Sequence, residues 1–239
     1  MIERGGQPGW AITLPEPVRY ADGVRIQEAL VEARLSDLIP DVVLFLEHLP
    51  VVTLGSRGRD NYLISSPEAL AEAGIDLVHS SRGGDVTYHG PGQIVMYPII
   101  RLGDKEADTH GYLHNLEDVA IRTAADFGID AARREGMTGA WDASGKFAAI
   151  GVRFRRWVTF HGMSLNVDMD LRAFDVIVPC GLEGQSVASL QSILGEACPD
   201  RSAVIDRMLH HFSEVCARSF AHVAEEGALP EAMQACLKA

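Results

Sequence analysis

A mixed β-sheet with helices packed on it, an α+β fold, is what the 239-residue sequence predicts, on two observations. Short runs rich in β-branched and aromatic residues come in adjacent pairs, which suits hairpins and neighbouring strands. Segments of helical period stand between those pairs, instead of following every strand as a β-α-β repeat requires. No Pro/Gly/Ser-rich linker, low-complexity run or internal repeat divides the chain, so a single domain over 1–239 is expected.

The first predicted helix covers 24–38. Ile26, Leu30, Ala33 and Ile39 fall near helical spacing, Glu28, Glu32, Arg34 and Asp37 take other faces, and Pro40 ends the run. Residues 42–47 and 51–54 are β-branched-rich strands joined by the His48-Leu49-Pro50 turn. A polar loop over 55–60, a short helix over 68–73 closed by Gly74, and a strand over 76–79 follow. The stretch 82–93 reads as a turn-rich loop, and 94–100 as a buried strand. A helix over 112–127 carries Leu113, Leu116, Ala120, Ala124 and Phe127 and stops at Gly128. Strands over 146–155 and 157–167 read as a hairpin. The last predicted helix covers 202–225, with Val204, Ile205, Met208, Leu209, Phe212, Val215 and Phe220 as its apolar positions.

The net charge of −12 argues against nucleic acid as a partner, and no apolar run approaches the ~20 residues that span a bilayer. Residues 1–8 contain no apolar stretch, so no secretory signal is expected. Cys180, Cys198, Cys216 and Cys236 show no Cys-x-x-Cys spacing and read as reduced thiols, consistent with a cytoplasmic location. Basic clusters occur at Arg57 with Arg59, at Arg133 with Arg134, and at Arg153, Arg155 and Arg156.

The densest chemistry lies in Arg82-Gly83-Gly84-Asp85-Val86-Thr87-Tyr88-His89-Gly90-Pro91-Gly92-Gln93. Glycines there let a backbone run close to a ligand, and a polar loop on a rigid strand is a common way to build a site. Cys180 sits in Val178-Pro179-Cys180-Gly181, at the end of an apolar run on a turn with little steric cover. Its thiolate would be the reactive form, so it needs a neighbour that helps it ionise. Lys146 opens the apolar strand Phe147-Ala148-Ala149-Ile150-Gly151-Val152. Most lysines are solvated surface charges, but one withdrawn from water on a core strand can exchange a proton. His89 and His161 each precede a glycine and read as site-lining groups, His48 as a weaker candidate of that kind, and His210 and His211 as ordinary helix residues. No metal-ligand spacing and no phosphate-binding loop stand out, so neither metal nor cofactor is expected.

Four motifs in order carry a family resemblance: the glycine loop with its Tyr97-Pro98 strand, Gly145-Lys146 with its strand, His161-Gly162-Met163-Ser164-Leu165-Asn166, and Pro179-Cys180-Gly181. Together the chain resembles the octanoyltransferases of lipoate biosynthesis, within the superfamily of biotin and lipoate protein ligase catalytic domains, over about 38–220. The resemblance implies that superfamily's mixed-sheet catalytic domain and catalytic roles for Cys180 and Lys146. It implies an acyl site lined by Arg82, Gly83, Gly84, Asp85, Val86, Thr87, Tyr88 and His89, by Ala149, Ile150 and Gly151, and by Gly162, Met163 and Ser164. Backbone N–H groups near Gly83, Gly84 or Leu182 are candidates for an oxyanion hole. The implied donor is octanoyl-acyl carrier protein. The implied acceptors are lipoyl domains of 2-oxoacid dehydrogenases and the glycine cleavage H protein. The alternatives are an ATP-dependent lipoate or biotin ligase, which does not need the cysteine, and a non-catalytic carrier-binding protein, against which Cys180 and Lys146 argue. Because the carriers are acidic as families, the arginines at 153, 155 and 156 are candidates for docking them.

Overall fold

The computed structural model describes residues 8–58, 62–178, 186–223 and 234–236. Its strands are β1 (Gly9–Thr13), β2 (Val42–Leu46), β3 (Val51–Leu54), β4 (Asp76–His79), β5 (Val86–His89), β6 (Gln93–Ile99), β7 (Ala132–Arg134), β8 (Met137–Trp141), β9 (Lys146–Arg155), β10 (Val158–Asn166) and β11 (Phe220–His222). Its helices are α1 (Tyr20–Leu35), α2 (Pro67–Glu72), α3 (Thr109–Asp126), α4 (Leu190–Leu194) and α5 (Arg201–Val215). Among the described residues, eight strands form one sheet in the order β11-β1-β2-β6-β10-β9-β8-β7, and β4-β3-β5 form a second. β1 runs parallel to β2 and β11 while the other pairs of the large sheet are antiparallel, so the sheet is mixed, as the sequence predicts.

β6 shows how the large sheet is buried on both sides. Ile94 and Met96 join a core with Leu116 and Ala120 of α3 and with Met208 and Phe212 of α5. Val95, Tyr97 and Ile99 join another with Ile26, Leu30 and Val31 of α1. Every residue of the strand is buried, which is why it reads as a continuous apolar run instead of an alternation. Cutting the fully buried Phe212 or Phe147 to alanine would cost ~3–5 kcal/mol through lost contacts and a cavity. The small sheet closes a third core, where Val52, Leu54, Val86 and Tyr88 meet Phe174 and Ile177.

Several expectations change. The first helix runs Tyr20–Leu35, earlier than expected at both ends; past it, Asp37 turns left-handed (φ 54°) while its carboxylate accepts from Arg34 and Arg101. A third of the expected glycine loop is strand β5, because Val86-Thr87-Tyr88-His89 pairs antiparallel with β3 and is buried throughout. The last helix stops at Val215, well short of 225. Ala217 is left-handed (φ 48°), Arg218 is drawn inward to Asp41 and Glu106, and Phe220 becomes part of β11 beside β1. β1, β7, β8 and β11 carry no signal strong enough to be read from the sequence. Trp157 belongs to the hairpin turn and not to the second strand: Arg156 (φ 48°) and Trp157 (φ 62°) make a two-residue turn between paired Arg155 and Val158.

Candidate active site

The glycine loop that joins β4 to β5 is pinned by Arg82. Its guanidinium donates to Thr53 Oγ1 at 2.8 and 3.0 Å, to the Thr53 carbonyl at 2.7 Å, and to the carbonyls of Gly83 at 3.0 Å and Asp85 at 2.9 Å. Arg82 therefore acts as an internal strut as well as a wall residue. Gly83 N–H donates to the Val152 carbonyl of β9 at 3.0 Å, which removes it as an oxyanion donor. The loop lies so close to β9 that a Cβ on Gly151 would stand 2.7 Å from the Gly83 carbonyl. Glycine at 151 is what permits that approach.

Against this loop lies a narrow cavity of about 50 Å³. It is walled by Arg82, Gly84, Asp85, Val86, Thr87 and His89 from the loop and β5, by Ala149, Ile150 and Gly151 from β9, and by Gly162, Met163 and Ser164 from β10. Lys146, Val95, Tyr97 and His161 complete it. The three stretches singled out in the sequence thus converge, two on the neighbouring strands β9 and β10 of the large sheet and one on β5 and its loop from the small sheet. Two of their residues stand elsewhere. Gly83 faces an open groove of about 1000 Å³, and the Tyr88 ring packs edge-on to Phe174, 5.7 Å away in the third core. The groove also carries Arg57, Arg153 and Phe154, and it shares Gly84, Asp85, Lys146, Ile150 and Gly151 with the cavity. Arg155, by contrast, pairs with Glu32 of α1.

Lys146 is 9% exposed and begins β9. Its backbone N–H donates to the Ser186 carbonyl and its own carbonyl accepts from Ala188, both at 2.9 Å. The side chain crosses β8, with Nζ 5.4 Å from the centre of the Trp141 ring. Gly139 (φ 126°) makes room for it, since a Cβ there would stand 2.5 Å from Lys146 Cε. Neither Gly139 nor Trp141 was legible in the sequence, because nothing in their spacing announces the neighbour across the strand.

Three histidines stand at the inner side. Asn166 Nδ2 donates to the Ala188 carbonyl, so its Oδ1 accepts from Gln93 Nε2, and Gln93 Oε1 in turn accepts from His89 Nδ1 at 2.6 Å. That chain fixes the tautomer of His89 and leaves Nε2 as the acceptor of the ring. His48 Nδ1 donates to the Val18 carbonyl, and its Nε2 accepts from the Tyr97 hydroxyl at 2.7 Å. Burial holds the Tyr97 phenol well above its usual range, so it keeps this proton. His161 is left-handed (φ 55°) in the middle of β10, with its N–H bonded to Gln27 Oε1 and its ring to Ser81 Oγ. Burial pushes His48 down to about 4 and His161 to about 3, the latter helped by the Arg82 and Arg153 charges. His89 is likewise held well below its usual value by burial, and by His48 and Arg82 beside it. All three are neutral near pH 7.

Cys180 and Leu182 lie outside the described residues, as do Arg59 of the basic clusters and Pro179 and Gly181. Burial pushes the thiol of Cys216 up to about 12, and it raises those of Cys198 and Cys236. Among the described residues, His210, His211 and Glu214 of α5 are close enough to share a metal ion, but none of them lines the cavity, and His211 is bonded to Asp126.

Residues 19–213 match the family model described as the lipoyl protein ligase A/B catalytic domain, and the chain belongs to that family. The octanoyltransferase of Rubrobacter xylanophilus is 46% identical over 188 residues, covering 78% of this chain and 84% of that protein. The octanoyltransferase of Syntrophotalea carbinolica is 43% identical over 196 residues, covering 82% and 89%. In three dimensions Ta0514 of Thermoplasma acidophilum, a putative lipoate protein ligase, has a TM-score of 0.77 over 97% of this chain and 93% of its own, at 15% identity. That likeness speaks for the fold. No helix among the described residues is long and apolar enough to cross a membrane.

Proposed function

We propose that this octanoyltransferase of lipoate biosynthesis takes its acyl group from octanoyl-acyl carrier protein, holds it as a thioester on Cys180, and passes it to a lysine of a lipoyl domain. The observation that carries the reading is where Lys146 stands, at the junction of the narrow cavity and the open groove. The walls of Ala149, Ile150, Gly162 and Met163 suit the inner part of a straight acyl chain, and the shared mouth and groove outside suit the rest of it and the carrier that delivers it. The three described cysteines, with their thiols pushed up, are poor nucleophiles.

In the first half-reaction the Lys146 amine takes the proton of the Cys180 thiol, and the thiolate attacks the thioester carbonyl. The carbon–sulfur bond to the carrier breaks, and the carrier's sulfur takes the proton from Lys146. In the second half the ε-amine of the acceptor lysine attacks the acyl-enzyme. Lys146 takes a proton from the attacking nitrogen and returns it to the Cys180 sulfur as that bond breaks, leaving an amide. The thioester conserves the donor's activation throughout, so no ATP is consumed. The acceptors are lipoyl domains of the kind found in 2-oxoacid dehydrogenases and in the glycine cleavage H protein.

Intact mass spectrometry after mixing with octanoyl-acyl carrier protein, without ATP, tests this reading. One octanoyl adduct, labile to hydroxylamine and absent in Cys180→Ser, is expected. No adduct on the unmodified protein, an unchanged adduct in Cys180→Ser, or transfer that needs free octanoate with ATP overturns it.

A further inference from the structure

We infer that His89, Tyr97 and His161 form the end wall of the acyl cavity and set the length of chain this enzyme accepts. The inference rests on reading the cavity as the acyl site. Its two ends are distinguishable. Gly84, Asp85, Lys146, Ile150 and Gly151 also line the open groove and so mark the mouth. Eleven of the described residues line the cavity but not the groove, and of these His89, Tyr97 and His161 carry the rings, only 6%, 4% and 2% exposed.

A wall works as a gauge only if it does not yield, and each of the three is locked by a different device. His89 is held by the Gln93–Asn166–Ala188 chain of hydrogen bonds. Tyr97 is held through its hydroxyl by His48, itself anchored on the Val18 carbonyl. His161 is held by its backbone. Strand alternation with Met163 and Leu165, which pack into the core shared by α3 and α5, would send its ring to that core. The left-handed φ of 55° brings the ring instead to Ser81 and to Tyr97, with ring centres 6.1 Å apart. A conformation of that kind on a non-glycine residue persists only where the surroundings over-determine it, and Gln27 supplies one such constraint by accepting the displaced N–H at 2.7 Å.

A longer chain must therefore break one of these buried hydrogen bonds or hold its carbonyl out beyond the mouth, away from Lys146. Closed pockets of this kind discriminate one methylene by about 10- to 200-fold.

Equimolar octanoyl and decanoyl thioesters of acyl carrier protein, offered together with a lipoyl domain, test the gauge. The readout is the decanoyl-to-octanoyl ratio on the acceptor, which does not depend on how much of a variant is active. His161→Ala should raise that ratio by at least about tenfold, within the range for pocket discrimination. Tyr97→Phe, which keeps the ring and removes only the hydroxyl that His48 holds, should raise it about two- to fivefold and covers the case in which His161→Ala does not fold. An unchanged ratio in the folded variants overturns the gauge. Loss of the enzyme-bound adduct with transfer intact would instead overturn the Cys180 intermediate, so the two failures are distinguishable.

Discussion

Acidification from about pH 7 to about pH 5 should destabilise this protein sharply, and the buried histidines set the size of the effect. In the unfolded chain each imidazole titrates near ~6.5. In the folded chain His48 is pushed down to about 4 and His161 to about 3, and His89 is held well below its usual value. Between those values the unfolded chain binds protons that the folded cluster refuses. Stability therefore rises with pH across this window, is fully present above the unfolded value, and is lost as pH falls below it. At about pH 5 His48 and His161 each withdraw ~2 kcal/mol, at ~1.4 kcal/mol per unit below 6.5. Together they withdraw ~4 kcal/mol, a large part of the ~5–15 kcal/mol net stability of a typical domain, and His89 acts in the same direction. The carboxylates of Asp37, Asp126 and Asp170 are depressed, so their contributions fade only at lower pH, outside the window. Urea denaturation at several pH values checks this. His48→Gln should remove one imidazole from the pH dependence and flatten the loss between pH 7 and 5 by ~2 kcal/mol, whatever it does to stability at neutral pH. A stability that is flat over the window, or equally steep in His48→Gln, would refute the reasoning.

Three other outcomes are expected. Lys146→Ala should lower transfer by at least ~10²-fold while the protein stays folded, and Lys146→Arg should fail as well because a guanidinium does not give up its proton near neutral pH; steady-state rates with circular dichroism check both. Gly139→Ala should lower kcat by ~10-fold or more, because at φ 126° its Cβ would collide with the Ala148 carbonyl and stand 2.5 Å from Lys146 Cε, so the backbone of β9 must shift together with the amine; circular dichroism separates loss of fold from loss of rate, and an unchanged kcat would show that Lys146 tolerates the shift. Arg57→Glu with Arg153→Glu, on the groove, should raise KM for acidic carrier proteins several-fold and weaken the salt dependence, whereas Arg155→Glu should change KM less because Arg155 is already paired with Glu32; a small uncharged octanoyl thioester, unaffected by either change, is the control.

Local pattern determined much of the scaffold. The apolar stretch that became β6, the Lys146–Arg155 strand and the helical period of α3 are each dictated by residues close in sequence, so they could be read before any tertiary contact was known. The glycine loop, Lys146 and the two His-Gly pairs stood out as candidate site residues because glycine and buried polar groups are out of place in ordinary connecting segments. The sequence misjudged the strand within that loop and the end of α5. In each case a distant partner decided: β3 for Val86–His89, and β1 with Asp41 and Glu106 for the chain after Val215.

What only the tertiary structure decided is which groups meet. Tyr88 and His89 are neighbours in sequence, yet one ring goes to Phe174 and the other to the cavity wall, because successive side chains of a strand leave on opposite faces. The neutrality of His48, His89 and His161 follows from burial, to which Arg82 adds at His89 and His161, and these groups come from three separate segments. The room for Lys146 comes from a glycine on the next strand, and the lock on His161 from a glutamine on α1. Sequence patterns carry information about periodicity and local backbone preference. Desolvation, hydrogen-bond tautomers and close backbone approaches depend on distances between segments far apart in the chain, and those exist only once it has folded.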